Sequence, residues 1–160
     1  MASGDGIDIR IKGQQIQDMR DTMAGNYATL QTSSTSATAG ITFTVPTGYS
    51  WLMQSLYATI TTTAATGARS LRVEAQTSTG GVVAQYRPIP TFDASATGIF
   101  MMSPEVADRA AATGTVYVTT PIDRLELPAG YLVKITEVGT GTATGDPLKA
   151  QLLVLKRPTL

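Results

Sequence analysis

From Ile41 onward apolar and polar positions alternate with a period of two. Ile41, Phe43 and Val45 are separated by Thr, and then Pro46 and Gly48 make a turn. Leu71, Val73 and Ala75 face one way while Arg72, Glu74 and Gln76 face the other, the pattern of a strand with one dry and one wet face. Further strands are predicted from Trp51 to Thr63, Val82 to Tyr86, near Gly98 to Met102, and over Thr115–Thr119, Asp123–Leu127, Tyr131–Val138 and Leu148–Lys156. Gly80-Gly81 reads as a hairpin turn joining the 69–77 strand to Val82–Tyr86. Arg87 to Pro90 carries two prolines and cannot be a central strand. One helix is expected in this half: Ser103 as N-cap, Pro104 at the first helical position and Glu105 favourable to the dipole start a run that ends by about Ala112. Eight or so short strands with turn signals between them predict an all-β fold, an antiparallel β-sandwich or jelly roll.

The first 40 residues have a different pattern. Ile7, Ile9 and Ile11 alternate with Asp8, Arg10 and Lys12, as in a short strand. After Gly13, Ile16, Met19 and Met23 fall at i, i+3 and i+7, one apolar stripe of a helix of about three turns ending at Gly25. A helix that short is marginal alone and must dock on something. Residues 31–40, QTSSTSATAG, are small and polar without periodicity and read as a linker. The expected organisation is therefore a docking arm with its linker over 1–40 and a sandwich over 41–160. The arm docks either on a partner chain or on its own sandwich.

Composition narrows the chemistry. The chain has no His and no Cys, so it has no imidazole base, no Ser-His-Asp relay, no thiolate nucleophile and no disulfide. A general acid or base could come only from Asp, Glu, Lys or Tyr. Twelve basic and twelve acidic residues balance to zero, and charged residues make up only 15% of the chain. No global field draws in nucleic acid or an anionic membrane, and neither is expected as a partner. About one residue in six is Thr, which favours strands. No stretch approaches the ~20 apolar residues of a membrane helix, and no apolar signal core follows Met1, so export by the usual route is not expected.

Each motif has a plainer reading beside the functional one. GTGTATGD over 139–146 lacks the Lys-Ser/Thr ending and following helix of a phosphate loop, and reads as a loop between the last two strands. Glu74, Glu126 and Glu137 could make a carboxylate pair only in three dimensions, and their strand positions suggest a solvated face. Trp51, Tyr57, Tyr86, Tyr117 and Tyr131 could stack on sugars but are more simply core or rim aromatics. Arg69, Arg72 and Arg87 form the densest basic group, too sparse for a nucleic-acid footprint. Arg72, with Glu74, reads as a surface residue that pairs across an interface. No cofactor or metal is expected.

The stretch Phe43-Thr44-Val45-Pro46-Thr47-Gly48-Tyr49-Ser50-Trp51, the strand opened by Arg69, Leu125 to Gly130 (LELPAG) and Gly145-Asp146 before the last strand resemble small jelly-roll virion proteins of tailed bacteriophages. The resemblance spans about residues 41–155. It implies a non-enzymatic head decoration or cement protein, or a collar, head–tail junction or fibre-attachment component, located in a virion assembled in the host cytoplasm. The implied partners are the major capsid protein or other virion subunits and further copies of the chain, a trimer by analogy. The residues expected to meet a partner are Ile7, Ile9, Ile11, Ile16, Met19, Met23, Arg72 and Glu74. A rival from another class is a carbohydrate-binding β-sandwich module using Trp51 and the tyrosines.

Overall fold

Thr-rich alternating segments separated by Gly and Pro cannot satisfy their backbone groups alone, and they pair into sheets. The computed structural model describes residues 25–37, 39–63, 67–88, 94–113, 115–140 and 146–159. Among the described residues eleven strands run β1 Asn26–Ser34, β2 Ile41–Thr44, β3 Tyr49–Thr61, β4 Arg69–Gln76, β5 Val82–Tyr86, β6 Thr97–Ser103, β7 Arg109–Thr113, β8 Thr115–Pro121, β9 Glu126–Leu127, β10 Leu132–Gly139 and β11 Leu148–Pro158. They form two sheets. The seven-stranded sheet has the order β1-β11-β3-β6-β8-β7, with β9 on β3, and the four-stranded sheet has the order β2-β10-β4-β5.

The inner faces follow the period-two reading. Trp51, Met53, Leu56, Ala58 and Ile60 of β3, Phe100 and Met102 of β6 and Leu152 and Val154 of β11 meet Ile41, Phe43, Leu71, Val73, Val133 and Ile135 from the smaller sheet. Each such side chain contributes ~1.5–3 kcal/mol when fully buried. The fold is thus the all-β sandwich that the alternation predicts.

Four expectations need correction. The helix after Ser103 is not formed: Pro104 and Glu105 make a turn, and Arg109–Thr113 is β7, paired along its length with β8. Pro suits the second position of a turn as well as a helix start, and the ladder to β8 outweighs the helix propensity of the alanines. Residues 31–34, read as linker, belong to β1, so among the described residues the large sheet includes Asn26–Ser34 ahead of Ile41. An edge strand needs only one half-dry face, which Ala28 and Leu30 supply. The sheet is not wholly antiparallel, because β6 and β8 run parallel with β7 on the outside. The 123–127 strand shrinks to β9, since Leu125 N–H turns back to the Asp123 carbonyl. The expected strand over 7–11 and helix over 14–25 lie outside the described residues, save Gly25.

The β4–β5 hairpin closes through Thr77–Gly81, where Thr77 exchanges backbone hydrogen bonds with Gly80 and Gly81. Only Gly80 has a left-handed φ, +87°, and a Cβ there would meet nothing within 4 Å. Gly80→Ala therefore tests backbone strain alone. A loss of about 1 kcal/mol in urea unfolding is expected.

Candidate interaction surface

Two features stand apart from ordinary sandwich packing: a buried ionic cluster at one end of the small sheet and an apolar band on the outer face of the large one.

The cluster begins with parity. On β4, Arg69 shares its side with Leu71 and Val73, and on β10, Glu137 shares its side with Val133 and Ile135, so both point inward. Arg69 has no exposed surface, and Glu137 and Asp146 are buried with it. Arg69 Nη1 donates to Asp146 Oδ2 at 2.8 Å, and Arg69 Nε lies 3.6 Å from Glu137 Oε1. The other oxygen of Asp146 accepts the Thr63 N–H at 2.7 Å, and its carbonyl accepts the Ala37 N–H at 2.7 Å. Ala37 in turn accepts the Glu137 N–H at 2.9 Å. Asp146 thereby joins, through its carboxylate, the end of β3 and the start of β4 and, through its carbonyl, the β1–β2 connection to the entry of β11. Burial, the neighbouring Asp146 charge and a hydrogen bond with Asp146 push the Glu137 carboxyl up to about 7, against the lowering effect of Arg69. With Glu137 protonated, one cation faces one anion and the buried cluster is neutral.

The expected solvated carboxylate face is thus wrong for Glu74 and Glu137. Glu74 lies on the outer side of β4 but is buried, because β10 and β5 flank it and its own neighbours cover it: Arg72 Nε sits 3.2 Å from Oε1, and Gln76 Nε2 donates to Oε2 at 2.8 Å. Of the pair expected at an interface, only Arg72 keeps substantial exposure. Glu126 is exposed as expected, accepting from Ser50 Oγ at 3.0 Å. Trp51 is a core residue, which removes the main aromatic of a sugar-stacking surface. Ile7, Ile9, Ile11, Ile16, Met19 and Met23 lie outside the described residues.

The band was not read from the sequence. On the outer face of the large sheet, register places Tyr27, Leu155 and Leu52 in one row across β1, β11 and β3. Leu153 lies beyond them on β11, Tyr57 pairs with Met101 across β3 and β6, and Ile99 pairs with Tyr117 across β6 and β8. Tyr27 is 68% exposed, Tyr117 54% and Met101 50%. The flanking positions are Thr29, Gln31, Ser55, Thr59, Lys149, Gln151 and Thr119, and charge sits at the ends of the apolar diagonal: Glu126 pairs with Leu52 and meets Arg157, and Arg109 pairs with Thr119. Beside it, Gln31, Thr32, Ser33, Lys149, Ala150 and Gln151 line a shallow hollow of ≈ 270 Å³. The available signal was the run of outward Tyr and Met on strands whose inward positions were already apolar.

Among the described residues no group of three or more His, Cys, Asp or Glu is placed to hold a metal ion. No family model matches the chain, and no curated protein matches it. Among solved structures it is similar to the VP2 subviral particle of infectious bursal disease virus, at 12% identity and a TM-score of 0.32, covering 83% of this chain and 32% of that one. It is similar to the nora virus structure at 16% identity and a TM-score of 0.30, over 84% and 58% of the two chains. An arabinose-bound α-L-arabinofuranosidase matches at 13% identity and a TM-score of 0.37, over 84% and 18%. The chain spans less than two thirds of each matched chain. With viral and glycosidase chains alike among them, function is read from this chain's own residues.

Proposed function

We propose that the chain is a non-enzymatic structural protein of a tailed-bacteriophage particle, binding and stabilising the capsid as a head decoration or cement protein. The observation that carries this reading is the apolar band across the outer face of the large sheet. A sheet face left to water is ordinarily polar, and a contiguous apolar patch on a rigid scaffold marks a contact surface. The resemblance of residues 43–51 and 125–130 to phage jelly-roll proteins supports the particle as its setting. The same features suit a collar, head–tail junction or fibre-attachment position. The partners are the major capsid protein or other virion subunits, and copies of the chain, as a trimer by analogy.

In this reading Ile7, Ile9, Ile11, Ile16, Met19 and Met23 add apolar contact to a neighbouring subunit, and exposed Arg72 selects among carboxylates there. Repetition on a symmetric shell lets modest contacts sum. The test is retention on particles of the encoding phage that lack the protein, read by co-sedimentation. Removing residues 1–24 leaves Gly25 and all of β1 in place and is expected to lower occupancy at least tenfold, about 1.4 kcal/mol per site. Unchanged occupancy by this variant and by Tyr57→Ser with Met101→Ser would overturn the reading.

A further inference from the structure

We propose that a second copy of the chain joins at the outer edge of β1, strand to strand and antiparallel, so that two seven-stranded sheets run on as one. In the register that opposes all nine residues, Leu30 faces Leu30 of the second copy, Thr29 faces Gln31, Ala28 faces Thr32, Tyr27 faces Ser33 and Asn26 faces Ser34. Such a pair forms in the free protein, independently of any capsid.

An edge strand offers unpaired N–H and C=O groups to any strand that meets it, and soluble proteins blunt it with charge, proline, a bulge or shortness. The strands that end the two sheets are β1 and β7, and β2 and β5. Three of them are blunted. β7 is five residues long and opens on exposed Arg109. β2 has four residues and runs into Pro46. β5 has five, stops short of Pro88 and carries a register shift that leaves Val83 without an opposite residue. β1 has none of these devices. Its nine residues, NYATLQTSS, include no charge and no proline, and they pair with β11 from Asn26↔Lys156 to Ser34↔Leu148 without a shift. Among the described residues no strand lies on its other side.

Two features of β1 select a second copy as the occupant. Identical edges bring like charges together wherever they carry any, and β1 carries none. Its inner face is also unfinished, since Ala28 and Leu30 pack against the core but stay only half-buried at the rim where the sheet stops. A two-fold axis normal to the sheet sets both Leu30 side chains on the same face, with Cα atoms about 4.5–5.5 Å apart, and each covers the other's open side. Pairing along the whole strand adds about eight to ten backbone hydrogen bonds, because alternate residues exchange two each. An unrelated strand would gain those bonds without the matched Leu30 contact.

The full chain is followed by sedimentation equilibrium from about 1 µM to about 1 mM, where a two-chain species is expected to grow with concentration. Thr29→Lys with Gln31→Lys, both at exposed positions, sets like charges opposite each other twice across the pair and is expected to weaken it roughly tenfold or more. Mixing that variant with one carrying Thr29→Glu and Gln31→Glu is expected to restore pairing between the two. The register is read through a thiol, since the chain has no Cys. Leu30→Cys is expected to form a disulfide-linked pair under mild oxidation roughly tenfold faster than Val83→Cys on exposed β5. A native chain that stays monomeric to the highest concentration would overturn the proposal. So would a larger species that the added lysines leave unchanged, which would place the contact on another surface, and so would equal oxidation rates. Particle retention is not read here, so pairing and virion attachment fail independently.

Discussion

Replacing Asp146 with Ala is expected to lower stability by about 3–5 kcal/mol, the cost of leaving a buried charge without its partner. For a domain of this size that is a fall in Tm of roughly 10–15 °C. Arg69 would keep its charge with no exposed surface and lose its 2.8 Å partner, leaving Glu137 3.6 Å away beside the space the carboxylate vacates. The Thr63 N–H would lose its acceptor at the same time. Asp146→Asn separates the two contributions. The amide oxygen can still accept from Thr63 or from Arg69, and the side chain still fills the site. The Asn variant is expected to lose less than half as much as the Ala variant. Urea unfolding at pH 6 measures both, and a loss below about 1 kcal/mol for Asp146→Ala would show that the cluster does not tie the strands together.

This cluster marks the boundary of what alternation makes legible. Period two puts Ile41, Phe43 and Val45, and Leu71, Val73 and Ala75, each on one face, and all six are buried in the core. The same spacing places Arg69 and Glu137 on that inward face, yet Glu137 reads as solvated on the strength of its charge and Arg69 reads only as part of a sparse basic group. Burying either alone would be prohibitive. What makes it possible is Asp146, which is distant in sequence and arrives through the β10–β11 loop. A pairing across 77 residues has no local signature. The failed helix after Ser103 has the same origin, because Pro104 and the alanines state a local preference while β8 supplies a ladder that only the fold reveals. The apolar band was hidden differently: outward Tyr57, Met101 and Tyr117 sit on separate strands, and only the register of β3, β6 and β8 makes them neighbours.

The protonation of Glu137 carries a second large effect, in which stability falls as pH rises. In the folded chain the carboxyl titrates at about 7, against an ordinary value of 4.5. Between those values the folded state holds a proton that the unfolded state has released, so raising the pH favours unfolding. The stabilisation is complete below about pH 4.5 and is lost as pH passes through about 7. A shift of that size corresponds to at most about 3 kcal/mol. Above pH 7 two carboxylates face Arg69 and the buried cluster carries an excess negative charge. Glu137→Gln keeps the shape and removes the titration, so its stability is expected to stay level from pH 5 to pH 8, where the native chain loses on the order of 2–3 kcal/mol relative to it. The two should cross, with the variant the more stable partner at pH 8. Urea midpoints at pH 5, 6, 7 and 8 decide the matter: parallel curves would mean that Glu137 ionises alike in both states and that Arg69 balances it unaided. Such a slope places the most firmly closed sandwich on the acid side of neutrality, with the connection between β1 and β2 held tightest there through Ala37.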